Sequence, residues 1–291
     1  MKGTVHYEVR DGVALLTVDN PPVNPLSEGV RNGLYEGIAK AEADTEVVGV
    51  VLTGKGRAFI AGADISEFGG KGEGHSLNSV FKSLEYCSKP LVAALNGLAL
   101  GGGLETALCC NYRIASNSAF VGLPEVNLGL LPGGGGTQRL PRLVGPAEAL
   151  KMMLSGAHVP AKKALSMGIV DSLSDNVVED SIAFIKDKAV SSDSHPMVRN
   201  LNDKMIEARG SDNVLVEAQA MAAKTRKGQF APGQIIKCVE AAINLDDFDE
   251  GLKKEGDYFL ECLVHPQREA MIHIFFGERA ASKVSDVPKD T

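Results

Sequence analysis

Apolar positions recur along the chain with two periods. "VHYEVRD" (5–11) and "VALLTVDN" (13–20) read as β runs on either side of Asp11-Gly12, a strong turn dipeptide, and predict a hairpin. Val30, Leu34 and Ile38 then lie one helical turn apart, which predicts a helix over roughly 28–43. "VVGVVLTGKG" and "PLVAALNG" are unbroken apolar runs ending at glycine, the pattern of strands buried on both faces. Between them lie a glycine-rich loop (69–75) and a helix near 77–88. "YRIAS" continues the strands, and Leu150, Met153 and Leu154 mark a further helix. "PAKKALSMG" begins with Pro and closes with Gly, the usual punctuation of a short helix. Strands alternating with helices predict an α/β fold, and the first region is set at 1–195.

Beyond it, in 196–291, strand signals vanish and an all-helical region is expected. "PGQIIKCVEAAI" and a long run from Asp246 to Lys283 are its clearest helices, and Met197, Leu201 and Met205 repeat the one-turn spacing. The final "SKVSDVPKDT" reads as the start of a linker.

Composition narrows the function classes. A chain of 291 residues with 44% apolar and 23% charged residues has ample core for one large domain or a domain with an appendage. Its net charge of -7 argues against general binding to nucleic acid or anionic membranes. No apolar run reaches membrane-span length, "MKGTVHYEVRDG" does not read as a signal peptide, and "PKDT" is no peroxisomal or retention tag. Five cysteines without metal-ligand spacing suggest thiols in a reducing compartment, so a cytoplasmic protein without a bound metal is expected. The adjacent Cys109 and Cys110 read as small core residues.

The candidate chemistry lies in "LALGGGLETALCC" (98–110), where three glycines run into Glu105 at the start of an apolar helix. Neither "GGGLET" nor "PGGGGTQRL" ends in the Gly-Lys-Ser/Thr of a phosphate loop. A dinucleotide fingerprint fails too. Thr106 stands where its third glycine belongs, and Glu125, the acid at the right distance, follows Pro124 instead of ending a strand. Two readings of Glu105 remain open. It is an acid placed to interact with a helix N-terminus, a stabilisation of about 0.3–1 kcal/mol, or it is catalytic. Further on, "RAFIAGADISEF" supplies the small-residue turn Ala61-Gly62-Ala63, and "GLPEVNLGLLPGGGGTQRL" supplies Glu125. Two bare backbone turns and two carboxylates are what oxyanion handling with proton transfer requires.

Over roughly 5–175 the chain strongly resembles the crotonase superfamily, and within it the enoyl-CoA hydratases. The resemblance rests on "AGADISEF", "NGLALGGGLE", "LPEVNLGLLPGGGGTQRLPRLVG" and "PAKKALSMGIVD", in the family's order and spacing. It implies a spiral of ββα turns that binds acyl-CoA thioesters. It also implies an oxyanion hole at the amides of Ala63 and Gly102, catalytic roles for Glu105 and Glu125, and substrate contacts at Ala61, Gly62, Asp64, Ile65 and Gly101. The implied activity is addition of water to trans-2-enoyl-CoA in fatty-acid β-oxidation, with no cofactor beyond the coenzyme A of the substrate. A Δ3,Δ2-enoyl-CoA isomerase working through Glu125, and a non-catalytic acyl-CoA-binding module, are the alternatives.

"KTRKGQFAPGQ", "AINLDDFDEGLKKEGDYFLECL" and "QREAMIHIFFGERAASKV" resemble the end of the hydratase/isomerase part of multifunctional β-oxidation enzymes. That resemblance implies a hydroxyacyl-CoA dehydrogenase domain or partner. It leaves open whether the chain is an excised part or stands alone. It also implies a tail folded back on its own domain, with the stripe Ile235, Val239 and Ile243 buried there, and a monomer or weak dimer in preference to a trimer. Among the remaining residues, Asp64 is read as holding the oxyanion turn, and Lys55 and Arg57 as meeting coenzyme A phosphates or forming a solvated pair. Arg139 and Arg142 serve helix packing or subunit contacts in this reading, and His158 and His265 have no catalytic role.

Overall fold

The computed structural model describes residues 3–67, 74–191, 194–210 and 213–281. The chain opens with the expected hairpin, β1 (Thr4–Arg10) against β2 (Val13–Asp19), turning at Asp11 and Gly12, both at positive φ. Helix α1 (Glu28–Ala43) follows, with Val30, Leu34 and Ile38 fully buried. From there the chain winds as a spiral in which each turn gives one strand to each of two sheets. Strands β3 (Gly49–Gly54) and β4 (Ala58–Ala61) lead to α2 (Leu77–Glu85). Strands β5 (Leu91–Leu95) and β6 (Leu98–Leu100) lead to α3 (Gly102–Cys109), and β7 (Tyr112–Ser116) leads to β8 (Phe120–Gly122).

Helices α4 (Gly136–Val144) and α5 (Pro146–Ser155), the short β9 (Val159–Pro160), α6 (Ala161–Met167), β10 (Ser172–Ser174) and α7 (Val177–Ser191) complete the α/β part. The larger sheet has the order β1-β2-β3-β5-β7-β10, parallel apart from the hairpin, and the smaller one has the order β4-β6-β8-β9. This is the spiral that the resemblance implies. Strands β3 and β5 are buried along their whole length because both faces of the large sheet are covered. Val177, Ile182 and Ile185 of α7 cover one face, and the main core covers the other.

The helical region comprises α8 (Asp203–Ala208), α9 (Asn213–Thr225), α10 (Ala231–Asn244), α11 (Phe248–Val264) and α12 (Pro266–Ala281). Its stripe Ile235, Val239 and Ile243 is buried, in one apolar core continuous with Leu16, Leu104 and Leu140 of the α/β part. Helix α10 packs on α4 and α5.

Two expectations for this region need correction. The run from Asp246 is two helices, because Pro266 has no amide to donate and biases the preceding His265 to an extended backbone (ψ 135°). Met197, Leu201 and Met205 do not share a helix. A 3-10 turn at Val198–Asn200 ends at an extended Leu201, which stays 41% exposed, while Val198 and Met205 are buried against α4. Packing on α4 overrides the spacing. The glycine-rich loop of 69–75 falls mostly outside the described residues, and the linker-like 282–291 falls wholly outside them.

Candidate active site

Strand pairing builds the two backbone turns. In β4 and β6 the parallel register matches Ala61 with Leu100, so both strands leave the sheet side by side, Gly62 and Ala63 next to Gly101 and Gly102. The turns are close enough that a Cβ on Gly102 would lie 3.5 Å from the Ala63 nitrogen. Gly62 (φ 101°) and Gly101 (φ 54°) occupy backbone conformations that L side chains rarely adopt. Leu26 donates its amide to the Gly62 carbonyl at 3.0 Å and forms a parallel bridge with Ala63. Neither the Ala63 nor the Gly102 amide has an acceptor among the described residues.

A second layer pins the first turn. After it the chain makes a 3-10 turn over Ile65–Glu67, in which the Asp64 carbonyl accepts from the Glu67 amide at 3.1 Å. The Glu67 carboxylate accepts from the Glu28 amide at 3.0 Å and from Arg31 at 2.7 Å, and Arg31 also donates to the Leu26 carbonyl. Neither Glu67 nor Arg31 stood out in the sequence, since each looks like a surface charge.

The two expected acids reach the site differently. Glu105 is 3% exposed, on the first turn of α3, but its carboxylate does not bond its own helix end. One oxygen, Oε1, accepts from the amides of Gly134 at 2.7 Å and Gly136 at 2.8 Å. From the first turn of α3 the carboxylate thus bonds a second loop, which a helix-end role alone would not require. Both glycines are needed for that approach, since a Cβ on Gly134 would lie 2.7 Å from Glu105 Oε2 and one on Gly136 2.8 Å from Oε1. Glu125 comes from the turn after β8, and its Oε1 lies 2.9 Å from where a Cβ of Gly101 would stand. Its Oε2 is buried without a hydrogen-bond partner among the described residues.

Burial raises the pKa of both carboxyls. For Glu105 the amides of Gly136 and Gly134 and the charge of Arg139 oppose the rise. For Glu125 the charge of Glu105 adds to it, and this carboxyl is pushed well above the ordinary range. The charge of one acts on the other, so the two carboxyls titrate as a coupled pair.

A third carboxylate, which the sequence did not reveal, joins them. Glu255 of α11 is 1% exposed. Its Oε1 accepts from the Gly135 amide at 2.6 Å, and its Oε2 accepts from the Thr137 amide at 3.1 Å and the Thr137 hydroxyl at 2.5 Å. Burial first, and the charge of Glu105 second, push its pKa up to about 8. In "GLKKEGDYF" it is one acid among exposed charges; only its place on the buried stripe of α11, with Phe248, Gly251 and Cys262, could have marked it.

Other expected residues fall into place around this centre. Ala61, Gly62, Asp64 and Ile65 are half-buried in and just after the first turn, and Gly101 is buried. Arg139 and Arg142 serve packing. Arg139 forks onto Glu85 at 2.8 and 2.9 Å and donates to the Gly134 carbonyl, while Arg139, Arg142 and Arg199 surround the Phe248 ring. Lys55 pairs with Asp19 at 2.7 Å, and its neighbour Arg57 is exposed. His158 is exposed, and His265 stacks on Phe230 in the helical region. Cys109 and Cys110 are buried. Among the described residues no cluster of His, Cys, Asp and Glu could hold a metal ion, and no helix is long and apolar enough to cross a membrane.

Known proteins share this arrangement of chain. A family model described as enoyl-CoA hydratase/isomerase matches residues 8–238. The peroxisomal bifunctional enzyme of Danio rerio is 39% identical over 281 residues, 95% of this chain and 38% of that enzyme. The fatty acid oxidation complex subunit alpha of Shewanella sp. (strain MR-4) is 38% identical over 288 residues, 94% of this chain and 40% of that subunit. The chain thus spans about two fifths of the length of these relatives. Among solved structures, carnitinyl-CoA hydratase from Mycobacterium avium superposes with a TM-score of 0.68 at 27% identity, covering 99% of both chains.

Proposed function

The chain belongs to the enoyl-CoA hydratase/isomerase family, and from that premise we propose that it hydrates trans-2-enoyl-CoA thioesters to 3-hydroxyacyl-CoA. One observation carries the proposal: two carboxylates, one bonded through backbone amides and one with a buried oxygen left unpartnered, stand beside paired amides that have no acceptor among the described residues.

In this mechanism the thioester oxygen lies between the amides of Ala63 and Gly102. Glu105, as carboxylate, takes a proton from water, and the water oxygen bonds to C3. The C2–C3 π electrons move toward the thioester, whose oxygen takes the enolate charge, and Glu125 then delivers its proton to C2. The elements of water are added with no redox step and no cofactor beyond the substrate's own coenzyme A. Each oxyanion donor contributes about 3–4 kcal/mol in comparable sites, and each proton-transfer group on the order of 10²–10⁴-fold.

Isomerisation of 3-enoyl-CoA is a second activity that the unpartnered Oε2 of Glu125 favours, since one mobile acid can carry a proton between C2 and C4. The name of the Shewanella relative also favours a role in fatty-acid oxidation, and the resemblance of the C-terminal stretches favours coupling to a hydroxyacyl-CoA dehydrogenase domain or partner that would oxidise the product. The buried stripe of α10 favours a monomer or weak dimer, and a stable trimer in light scattering would refute that. Five free thiols favour a reducing compartment, with the cytoplasm as the proposed location, and enrichment in peroxisomes on fractionation would move it to that of the Danio rerio relative.

Loss of the enoyl absorbance of crotonyl-CoA tests the activity. Glu105→Gln and Glu125→Gln should each lower turnover by at least about 10²-fold with an unchanged unfolding profile. Isomerase turnover should survive Glu105→Gln better than Glu125→Gln. Two single variants working at the parent rate would end the mechanism.

A further inference from the structure

Four successive amides at the start of α4 are shared alternately between two carboxylates from distant parts of the chain. Gly134 and Gly136 donate to Glu105, and Gly135 and Thr137 donate to Glu255. Neither acid touches this loop alone, and what bonds one face of it fixes the orientation of the other. The helical region is built to deliver Glu255 there. Helix α11 approaches α4 closely at Gly251, where a Cβ would stand 2.3 Å from Gln138 Oε1, and Glu255 lies one turn further along the same buried stripe. An apolar residue or an amide would fill that place at less desolvation cost than a carboxylate, which is tolerated in the interior only when fully bonded.

We propose that Glu255 is a positioning residue of the hydration site, which holds loop 134–137 from the helical side so that the loop's alternate amides fix the Glu105 carboxylate at the reacting carbons. The proposal rests on the hydratase reading above. It differs from a helix-capping role for Glu255 in what it moves: a cap stabilises α4, whereas a positioning residue changes the placement and the titration of Glu105. The charged and titratable groups facing Glu255 are Glu105, Glu125, Arg139 and Cys238. With its pKa pushed up to about 8, Glu255 is largely protonated below that pH, so Glu255→Gln there changes the hydrogen bonds to the loop and not the charge beside Glu105.

Full-length Glu255→Gln tests this with crotonyl-CoA across pH. The expected result is a fall in kcat of about 10-fold, since displacing a catalytic group by a fraction of an ångström has that scale of effect. KM should stay within about twofold, and a limb of the parent's pH profile near 8, where Glu255 ionises against the loop amides, should be absent from the variant. Thr137→Val, which removes the hydroxyl donor and keeps the amide, should give a smaller change of the same kind and serves if the first variant does not fold. Unchanged kcat and pH profile with lowered thermal stability would make Glu255 a cap and overturn the proposal. Amide hydrogen exchange separates this from the hydratase reading, because it needs no substrate. Faster exchange at 134–137 in Glu255→Gln is expected, and unchanged exchange would refute the clamp. A parent protein that does not hydrate crotonyl-CoA would refute the hydratase reading, whatever the exchange shows.

Discussion

The site contains three bare backbone segments, two aligned by strand register and one held by side chains. Turns 61–63 and 101–102 are placed by strand register, since β4 and β6 pair up to Ala61 and Leu100, and the amides beyond them inherit that alignment. Loop 133–137 has no sheet behind it and is positioned by side chains: Glu105 and Glu255 on its amides and Arg139 on the Gly134 carbonyl. A segment set by backbone pairing fails when an amide is removed, and it tolerates a change of side chain only where no glycine conformation is required, as at Ala63 and not at Gly62 or Gly101. A segment set by charged side chains fails when one of them is lost, and its geometry depends on protonation.

The largest expected effect comes from removing everything after residue 195. This deletes Glu255 and uncovers the core packed against Ile235 and Val239, so an aggregating, inactive protein is expected from size-exclusion chromatography and the crotonyl-CoA assay. A soluble, fully active truncation would show that loop 133–137 needs no support from the helical side. Next is Ala63→Pro, which deletes one of the two amides proposed to hold the oxyanion and should cost about 10²–10³-fold in kcat with KM less affected, whereas Ala63→Ser keeps the amide and should stay near the parent rate. The unfolding profile of the proline variant must match the parent for the comparison to hold, and equal rates in the two variants would break the backbone half of it.

The smallest effect is a pH dependence of stability. Glu255 has a folded-state pKa of about 8 against an ordinary 4.5, so the folded protein binds this proton more tightly than the unfolded chain. Its contribution to stability is fully present below about 4.5 and is lost as pH rises through about 8, a change on the order of a few kcal/mol. Glu255→Gln cannot titrate there. In urea unfolding at pH 5, 6.5 and 8, its stability relative to the parent should rise with pH. Parallel curves would remove the protonation dependence from the side-chain half.

Much of this protein is local, and therefore legible in its sequence. The β1–β2 hairpin follows from Asp11-Gly12, α1 from the spacing of Val30, Leu34 and Ile38, and α6 from Pro160 and Gly168, because turns, caps and amphipathic periods are properties of adjacent residues. Glu105 and Glu125 stood out in the sequence as acids next to glycine-rich runs, but the glycines that admit their carboxylates, Gly134 and Gly136 for one and Gly101 for the other, lie far from them along the chain. Tertiary structure alone decided what those acids touch. The 3.6-residue period of Met197, Leu201 and Met205 gave way to packing on α4, and a local reading gave Glu105 a helix end where the fold gives it a distant loop. Glu255 shows the reason most plainly. Its identity, neighbours and helix are those of a solvated surface acid, and its burial against Gly135 and Thr137 arises only when α11 closes on α4, across a sequence distance that no local pattern encodes.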